Sequence, residues 1–345
     1  ACGVYHTAAV TRTGALYTWG NGQQGQLGHD NTENYLQPTL IVANRFENAK
    51  VQMVACGDGH TAAVTSSGKL WTFGTGDNGQ LGLGITKKSL VPLLIDPESF
   101  KHAHVIMVAC GFSHTAAVAK ISGGLDKRSN TLWTWGCGIQ GRLGHGADCA
   151  DKMVPTEIPT ARFGDCNMCT VACGDDHTAA VTQNGLVFTW GVGNNWQLGH
   201  SHREACFVPT RIRRLEQHRV VTVACGPAHT AAVTEEGHLW TWGNGSLGQL
   251  GNNSFSSQPA TRPVAQLQHT FTRIGRCREM DSHLSLAFAM STHARLGEMS
   301  CGLTLPADLV RRICLSAREW LDGPSGTVDG VVRLIGGGLQ PLSIF

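Results

Sequence analysis

One ten-residue phrase, A-C-G-x-x-H-T-A-A-V, is written five times, starting at Ala1, Ala55, Ala109, Ala172 and Ala224. Successive starts lie 54, 54, 63 and 52 residues apart. A near-constant period of this size constrains the fold more than any composition figure. Each unit is one supersecondary structure that buries its faces only by stacking on its neighbours. The units also continue alike. A short turn leads to L-[WYF]-T-[WF]-G or a close variant, at Leu16–Gly20, Leu70–Gly74, Leu132–Gly136, Val187–Gly191 and Leu239–Gly243. A glycine-rich loop then closes on Q-L-G or R-L-G, at Gly28, Gly82, Gly144, Gly199 and Gly251. A proline segment follows at Pro38, Pro92, Pro155 and Pro209, and in the fifth unit at Pro259 or Pro263. A decayed sixth unit, 274–290, keeps Cys277 and His283 but loses the glycine.

Within a unit, "VACG", "HTAAVT", "LWTFG" and "PLLI" are brief apolar segments separated by Gly, Ser, Asn and Asp. They read as four β-strands. Ser66-Ser67-Gly68 and Glu235-Glu236-Gly237 read as hairpin turns with glycine free to take positive φ. Ala62, Ala63 and Val64 are consecutive and non-polar, so polar and apolar residues do not alternate. That pattern predicts sheets covered on both faces by neighbouring sheets. Small Ala and Thr fit a crowded inner position, and Trp or Phe fit farther out, where diverging sheets leave more volume. Four-stranded sheets repeated radially make an all-β fold, the β-propeller, here spanning 1–290.

In these features (G-x-x-H-[TS], the turn glycine, the W-G pair and G-Q-L-G, recurring in order) the chain resembles the regulator of chromosome condensation repeat family. The resemblance covers about Ala1 to Met290 and implies a propeller whose family ring has seven blades. This chain shows five full units and one degraded one, and opens on a strand without Met, as a fragment of a longer protein would.

The recurrence also decides how to read the histidine. A catalytic residue is needed once, whereas His6, His60, His114, His177 and His229 recur once per unit. They read as structural residues that hydrogen-bond across blades, because a buried polar group must find a partner. Gly57, Gly111, Gly174 and Gly226, three residues before the last four of them, read as backbone-permissive positions beside the ring.

The chain has 13 cysteines and carries a net charge of +2, with only 15% of residues charged. That balance gives no bulk drive toward nucleic acid or membrane. Five of the cysteines belong to the A-C-G phrase and act as small hydrophobes. They point to a reducing compartment, cytoplasm or nucleus. No run approaches 18 apolar residues, and no signal or transit segment is visible.

Few constellations could carry chemistry. Cys166 and Cys169 form a C-x-x-C, with Cys173 and His177 following, a spacing that suits zinc. The last two are repeat positions already explained by the fold and no second C-x-x-C exists, so no metal is expected. No P-loop, H-E-x-x-H or G-x-S-x-G is present, so neither a catalytic residue nor a cofactor is expected. The two residues between the glycine and the histidine vary: Val4-Tyr5, Asp58-Gly59, Phe112-Ser113, Asp175-Asp176 and Pro227-Ala228. Variable loops on a fixed frame are where binding specificity sits.

In the family, the chromatin-associated member promotes nucleotide exchange on the small GTPase Ran with one propeller face and binds histones and DNA with another. The resemblance therefore marks Asp58, Asp175 and Asp176 as candidates for an acidic partner face. The family's plant UV-B photoreceptor carries Trp-Arg at these variable positions. This chain has neither residue at any of them, which argues against photoreception. Seven of its nine tryptophans lie in the repeated aromatic strands and read as core.

A basic cluster within Thr210–Val220, formed by Arg211, Arg213, Arg214 and Arg219, could hold phosphate or an acidic partner. The longer turn Lys120–Asn130 reads as a surface insertion. Beyond the repeats, residues 291–345 form an appendage in which 306–321 reads as an amphipathic helix. Pro306 stands in its first turn, Gly323 follows its end, and Leu309, Ile313, Ala317 and Trp320 share one face. The sequence thus predicts a non-enzymatic protein–protein interaction scaffold working through propeller loops. The alternatives are a guanine-nucleotide exchange factor for a Ran-like small GTPase and, more weakly, a chromatin or nucleic-acid binder.

Overall fold

A computed structural model describes residues 1–121 and 130–264. The decayed sixth unit, the 306–321 helix and most of the Lys120–Asn130 insertion lie outside the described residues. Every described residue belongs to one unit, Ala1–Ala294.

The described chain is all-β with short 3-10 turns. Its strands form five antiparallel sheets, the blades, in which spatial order follows chain order. Blade 1 holds β1 (His6–Val10), β2 (Leu16–Gly20) and β3 (Tyr35–Ile41). An isolated bridge, Cys2 to Thr7, marks where a fourth strand stands in the other blades. Blade 2 holds β4 (Val51–Cys56), β5 (His60–Thr65), β6 (Leu70–Gly74) and β7 (Ser89–Leu94). Blade 3 holds β8 (His104–Cys110), β9 (His114–Lys120), β10 (Asn130–Gly136) and β11 (Lys152–Ile158). Blade 4 holds β12 (Met168–Cys173), β13 (His177–Thr182), β14 (Val187–Gly191) and β15 (Cys206–Arg211). Blade 5 holds β16 (Val220–Cys225), β17 (His229–Thr234), β18 (Leu239–Gly243) and β19 (Gln258–Pro263).

The first strands of blades 2 to 5 touch one another in sequence, β4 on β8, β8 on β12 and β12 on β16. They form the inner layer, and the sheets splay outward from it. Each inner strand carries a bulge one or two residues in from its start, at Gln52, Ile106, Cys169 and Val221. A bulge bends the strand and increases its local twist. The second strands, β5, β13 and β17, are buried along their whole length. They are sandwiched between blades, which is why they are non-polar on both faces.

Farther out the gap widens and aromatic side chains fill it. Phe73, Trp135, Trp190 and Trp242 are fully buried between blades. Burying one such side chain stabilises by roughly 1.5–3 kcal/mol. Each sits under the closing glycine of the preceding blade. A Cβ on Gly82 would lie 2.7 Å from Trp135 Nε1, and one on Gly144 would lie 2.8 Å from Trp190 Nε1.

The outermost strand is the edge, where a proline costs no ladder hydrogen bond. Strand pairing puts Pro38, Pro92, Pro155 and Pro209 at one equivalent position. In blade 5 that position is neither Pro259 nor Pro263, as the sequence suggested. Trp240 pairs with Pro263 and Thr241 with Arg262, so Thr261 fills the slot and is buried. No helix among the described residues is long and apolar enough to cross a membrane.

Candidate protein-interaction face

The conserved letters of the repeat build a rigid collar between blades. His6 Nε2 lies 2.7 Å from Thr61 Oγ1 of the next blade, and His60 Nε2 lies 2.9 Å from Thr115 Oγ1. His114 reaches Thr178 at 2.9 Å and His177 reaches Thr230 at 2.8 Å. Each of these threonines donates its own hydroxyl proton backward. Thr61 donates to Gln26 O, Thr115 to Gln80 O, Thr178 to Arg142 O and Thr230 to Gln197 O. Because the hydroxyl proton is committed, the oxygen can only accept from the imidazole. Nε2 is therefore the nitrogen that carries the proton in the neutral ring. Burial enforces the same state, lowering His60 and His229 to about 4 and His177 to about 3.

The glycine before each histidine is required by space. A Cβ on Gly57 would fall 2.4 Å from His60 Cε1 and 2.5 Å from Gly111 O. Gly111 stands in the same relation to His114 and Gly174 O, and Gly174 to His177 and Gly226 O. Backbones of adjacent blades touch here with nothing between them. The cysteine one residue earlier faces the blade behind, with Cys110 Sγ donating to Ala55 O at 3.7 Å and Cys173 Sγ to Ala109 O at 3.7 Å. Burial pushes the Cys225 thiol up to about 12, so these thiols stay protonated and unreactive. Cys173 and His177 thus already have partners in neighbouring blades. No group of three or more His, Cys, Asp or Glu among the described residues is placed to hold a metal ion.

On this collar stand the variable pairs. Each lies in the turn between the first and second strands. The loop that leaves the third strand is tied to the same turn: Asn21 N–H donates to Tyr5 O, Thr75 to Gly59 O, Cys137 to Ser113 O, Val192 to Asp176 O and Asn244 to Ala228 O. Turns and loop bases therefore share one face. Neighbouring turns are linked too, Phe112 N–H to Asp175 O and Asp175 N–H to Pro227 O. Tyr5 and Phe112 are exposed at 61% and 45%, and the loop residues Ile139 and Leu247 are exposed on the same face. The face combines these apolar side chains with the half-buried Asp58, Asp175 and Asp176.

One of the three carboxylates faces an arginine. Asp176 Oδ1 pairs with Arg142 Nη1 at 2.6 Å, and the arginine side chain is only 8% exposed. Where other blades carry Gln26, Gln80, Gln197 and Gln249 in Q-L-G, blade 4 faces R-L-G of blade 3. Each of those glutamines accepts a backbone N–H two residues back with its Oε1. Arg142 donates to Ile139 O instead and neutralises Asp176. The sequence signal was the single departure from glutamine, but its partner 34 positions later could be found only in three dimensions.

Arg211, Arg213 and Arg214 lie elsewhere, at the outer end of blade 4. They line a cleft of about 240 Å³ rather than an extended track.

Comparisons with known proteins agree with this architecture. The family model described as the regulator of chromosome condensation (RCC1) repeat matches residues 13–64, 67–118, 129–181, 184–233 and 236–274. The ultraviolet-B receptor UVR8 of Arabidopsis thaliana is 38% identical over 251 residues, 72% of this chain and 54% of the relative. The E3 ubiquitin-protein ligase HERC2 of Mus musculus is 31% identical over 90% of this chain but only 6% of its own length. The chain thus spans about half of the first relative and a small part of the second. Among solved structures, human WBSCR16 superposes with a TM-score of 0.64 at 26% identity, covering 76% of this chain and 66% of that one. Prp20p from Saccharomyces cerevisiae superposes with a TM-score of 0.51 at 19% identity, covering 76% of each chain, and shares the fold. With five matched repeats across most of its described length, the chain belongs to the regulator of chromosome condensation (RCC1) repeat family.

Proposed function

We propose that the chain is a non-enzymatic interaction scaffold whose partner protein docks on the face formed by the variable turns. The observation that carries this reading is the contrast within each blade. Glycine, histidine and threonine are locked into inter-blade contacts, while the two residues between glycine and histidine differ every time and include exposed aromatics. Exposed Tyr5 and Phe112 supply apolar anchors of the kind that dominate protein interfaces. Asp58 and Asp175 add acid, which favours a partner with a basic patch.

A second reading is guanine-nucleotide exchange on a Ran-like small GTPase. Exchange needs binding and no covalent chemistry, and three acidic positions on one face favour it. Prp20p has binding properties to Gsp1p and histones, and shares this fold. Asp58 and Asp175 are the acids to test, beside Asp176 with its arginine partner.

The experiment is release of a fluorescent GDP analogue from a Ran-type GTPase, alongside direct binding of that GTPase. Binding that Phe112→Ala and Tyr5→Ala weaken at least tenfold, without faster release, supports the scaffold. Release accelerated by the wild type and lost in Asp58→Ala/Asp175→Ala supports exchange. Binding unchanged by all four substitutions places the interface off this face.

A further inference from the structure

The cleft at the outer end of blade 4 differs from its counterpart in blade 1 by one lost carboxylate and two added arginines. In blade 1, Arg45 directly precedes Phe46, the buried residue that ends the 3-10 turn Ala43–Phe46. It pairs with Asp30 across the cleft at 2.9 Å. Asp30 sits two residues after the closing glycine, at φ 67°, and its N–H donates to Leu90 O of the next blade. In blade 4, Arg214 directly precedes Leu215, the buried end of the 3-10 turn Arg213–Leu215. The residue corresponding to Asp30 is Ser201, at φ 64°, with its N–H donating to Pro259 O of the next blade. The backbone at Asp30 and Ser201 is the same, an arginine again precedes the buried end of a 3-10 turn, though that turn is one residue shorter, and the carboxylate is gone.

Two more arginines have been added at the same place. Arg211 and Arg213 line the cleft with Arg214, Thr210, Ser201, His200 and His202. Blade 1 has Leu40 and Val42 at the two added positions, and blade 2 has Leu94 and Asp96. Only part of this charge is answered. Arg211 Nε reaches Glu216 Oε1 at 3.3 Å, and Arg214 donates to the Thr261 carbonyl at 3.4 Å. Arg213 has no hydrogen-bond or ion-pair partner among the described residues. His200 and His202 stack at 5.6 Å between ring centroids, with His200 Nε2 held by Thr189. A concave site with an uncompensated guanidinium fork, a hydroxyl and imidazoles suits a compact tetrahedral anion.

We propose that this cleft binds a phosphate group, which occupies the place that the Asp30 carboxylate fills in blade 1. Arg213 and Arg214 hold its oxygens, and Ser201 and His202 complete the set. The volume of about 240 Å³ admits one phosphate monoester and no duplex. The proposal is independent of the docking face, which lies on the turns of the other face.

The test uses the full chain titrated with inorganic phosphate and, separately, with a phosphoserine peptide and its unphosphorylated twin. Binding is followed by calorimetry and by the side-chain 15N shifts of His200, His202 and Arg213. Saturable binding of phosphate, with shifts confined to those residues, is the expected result. Ser201→Asp restores the blade 1 arrangement at a backbone position that already accepts Asp, so the fold is kept. It should lower phosphate affinity at least tenfold, as should Arg213→Ala. Arg162→Ala, in the corresponding turn of blade 3, should leave it unchanged. A phosphopeptide bound at least tenfold more tightly than phosphate identifies a phosphorylated protein as the source. Equal affinities identify a free phosphorylated small molecule. No saturable phosphate binding up to tens of millimolar, on the order of the weakest specific affinities, overturns the proposal. So does binding that Ser201→Asp and Arg213→Ala leave intact in variants with wild-type melting curves.

Discussion

Gly57 shows how one position serves two blades. Its missing side chain leaves room for the His60 ring on one side and for the Gly111 carbonyl on the other. The neighbour on the second side is backbone and cannot rotate away. Gly57→Val should therefore push blades 2 and 3 apart and destabilise by about 3 kcal/mol or more, within the range for overpacking a core. Urea unfolding followed by tryptophan fluorescence reads this directly, since the buried Trp135, Trp190 and Trp242 line the gaps between blades 2 and 5. A midpoint within a few tenths of a molar of wild type would refute the steric account. The sequence marked this glycine as special, but assigned it conformational freedom. Its φ is not in the left-handed region, unlike Gly68 at +73° in the hairpin turn. The reason is close approach, which depends on a residue 54 positions away and is invisible to local reading.

At the scale of the element, the loop before the fourth strand is the adaptable part of each blade. In four blades a glutamine folds back on its own loop, whereas in blade 3 Arg142 reaches forward to Asp176. Arg142→Gln should then be nearly neutral, within about 1 kcal/mol, because glutamine regains the backbone contact it makes elsewhere. Arg142→Ala should cost about 1–2 kcal/mol, losing buried packing and the contact to Ile139 O. Asp176 is 43% exposed, and solvent screens its share of the loss. Thermal melts of the two variants check the order. An alanine variant as stable as the glutamine one would mean that the loop does not need this side chain. The rhythm of the elements was legible, because strand patterns and turn glycines are local. The proline slot of blade 5 was misread, because register is set by pairing with β18 and not by counting from the glycine.

At the scale of the whole molecule, the inter-blade histidines add up. His60, His114, His177 and His229 are all held neutral by burial, with folded pKa values below the ordinary 6.5. Unfolding exposes them, so between pH 6.5 and about 4 the unfolded chain binds more protons than the folded one. Stability is fully present above pH 6.5 and falls as pH drops through that window, continuing toward about 3 for His177. Each histidine contributes a slope of about 1.4 kcal/mol per pH unit within its own window. The loss should begin above the carboxylate range and be steep, because the same link recurs in blade after blade. Denaturation midpoints measured from pH 7.5 to 4 check this, and a flat profile down to pH 5 would exclude it.

The sequence by itself determined the repeat, its four-strand unit, the stacking of sheets on both faces and the family. All of these follow from spacing and residue size along a periodic chain. It also separated the invariant letters from the variable pairs on which the proposed docking face rests. Only the tertiary structure decided what each invariant letter touches. It also decided that Asp176 is neutralised by Arg142, and that Ser201 and three arginines share a cleft whose blade 1 counterpart holds an Asp–Arg pair. The physical reason is that these contacts join one blade to the next or one loop to a distant strand. Their energies are fixed by geometry across the gap, and no local pattern records which residues will face each other there.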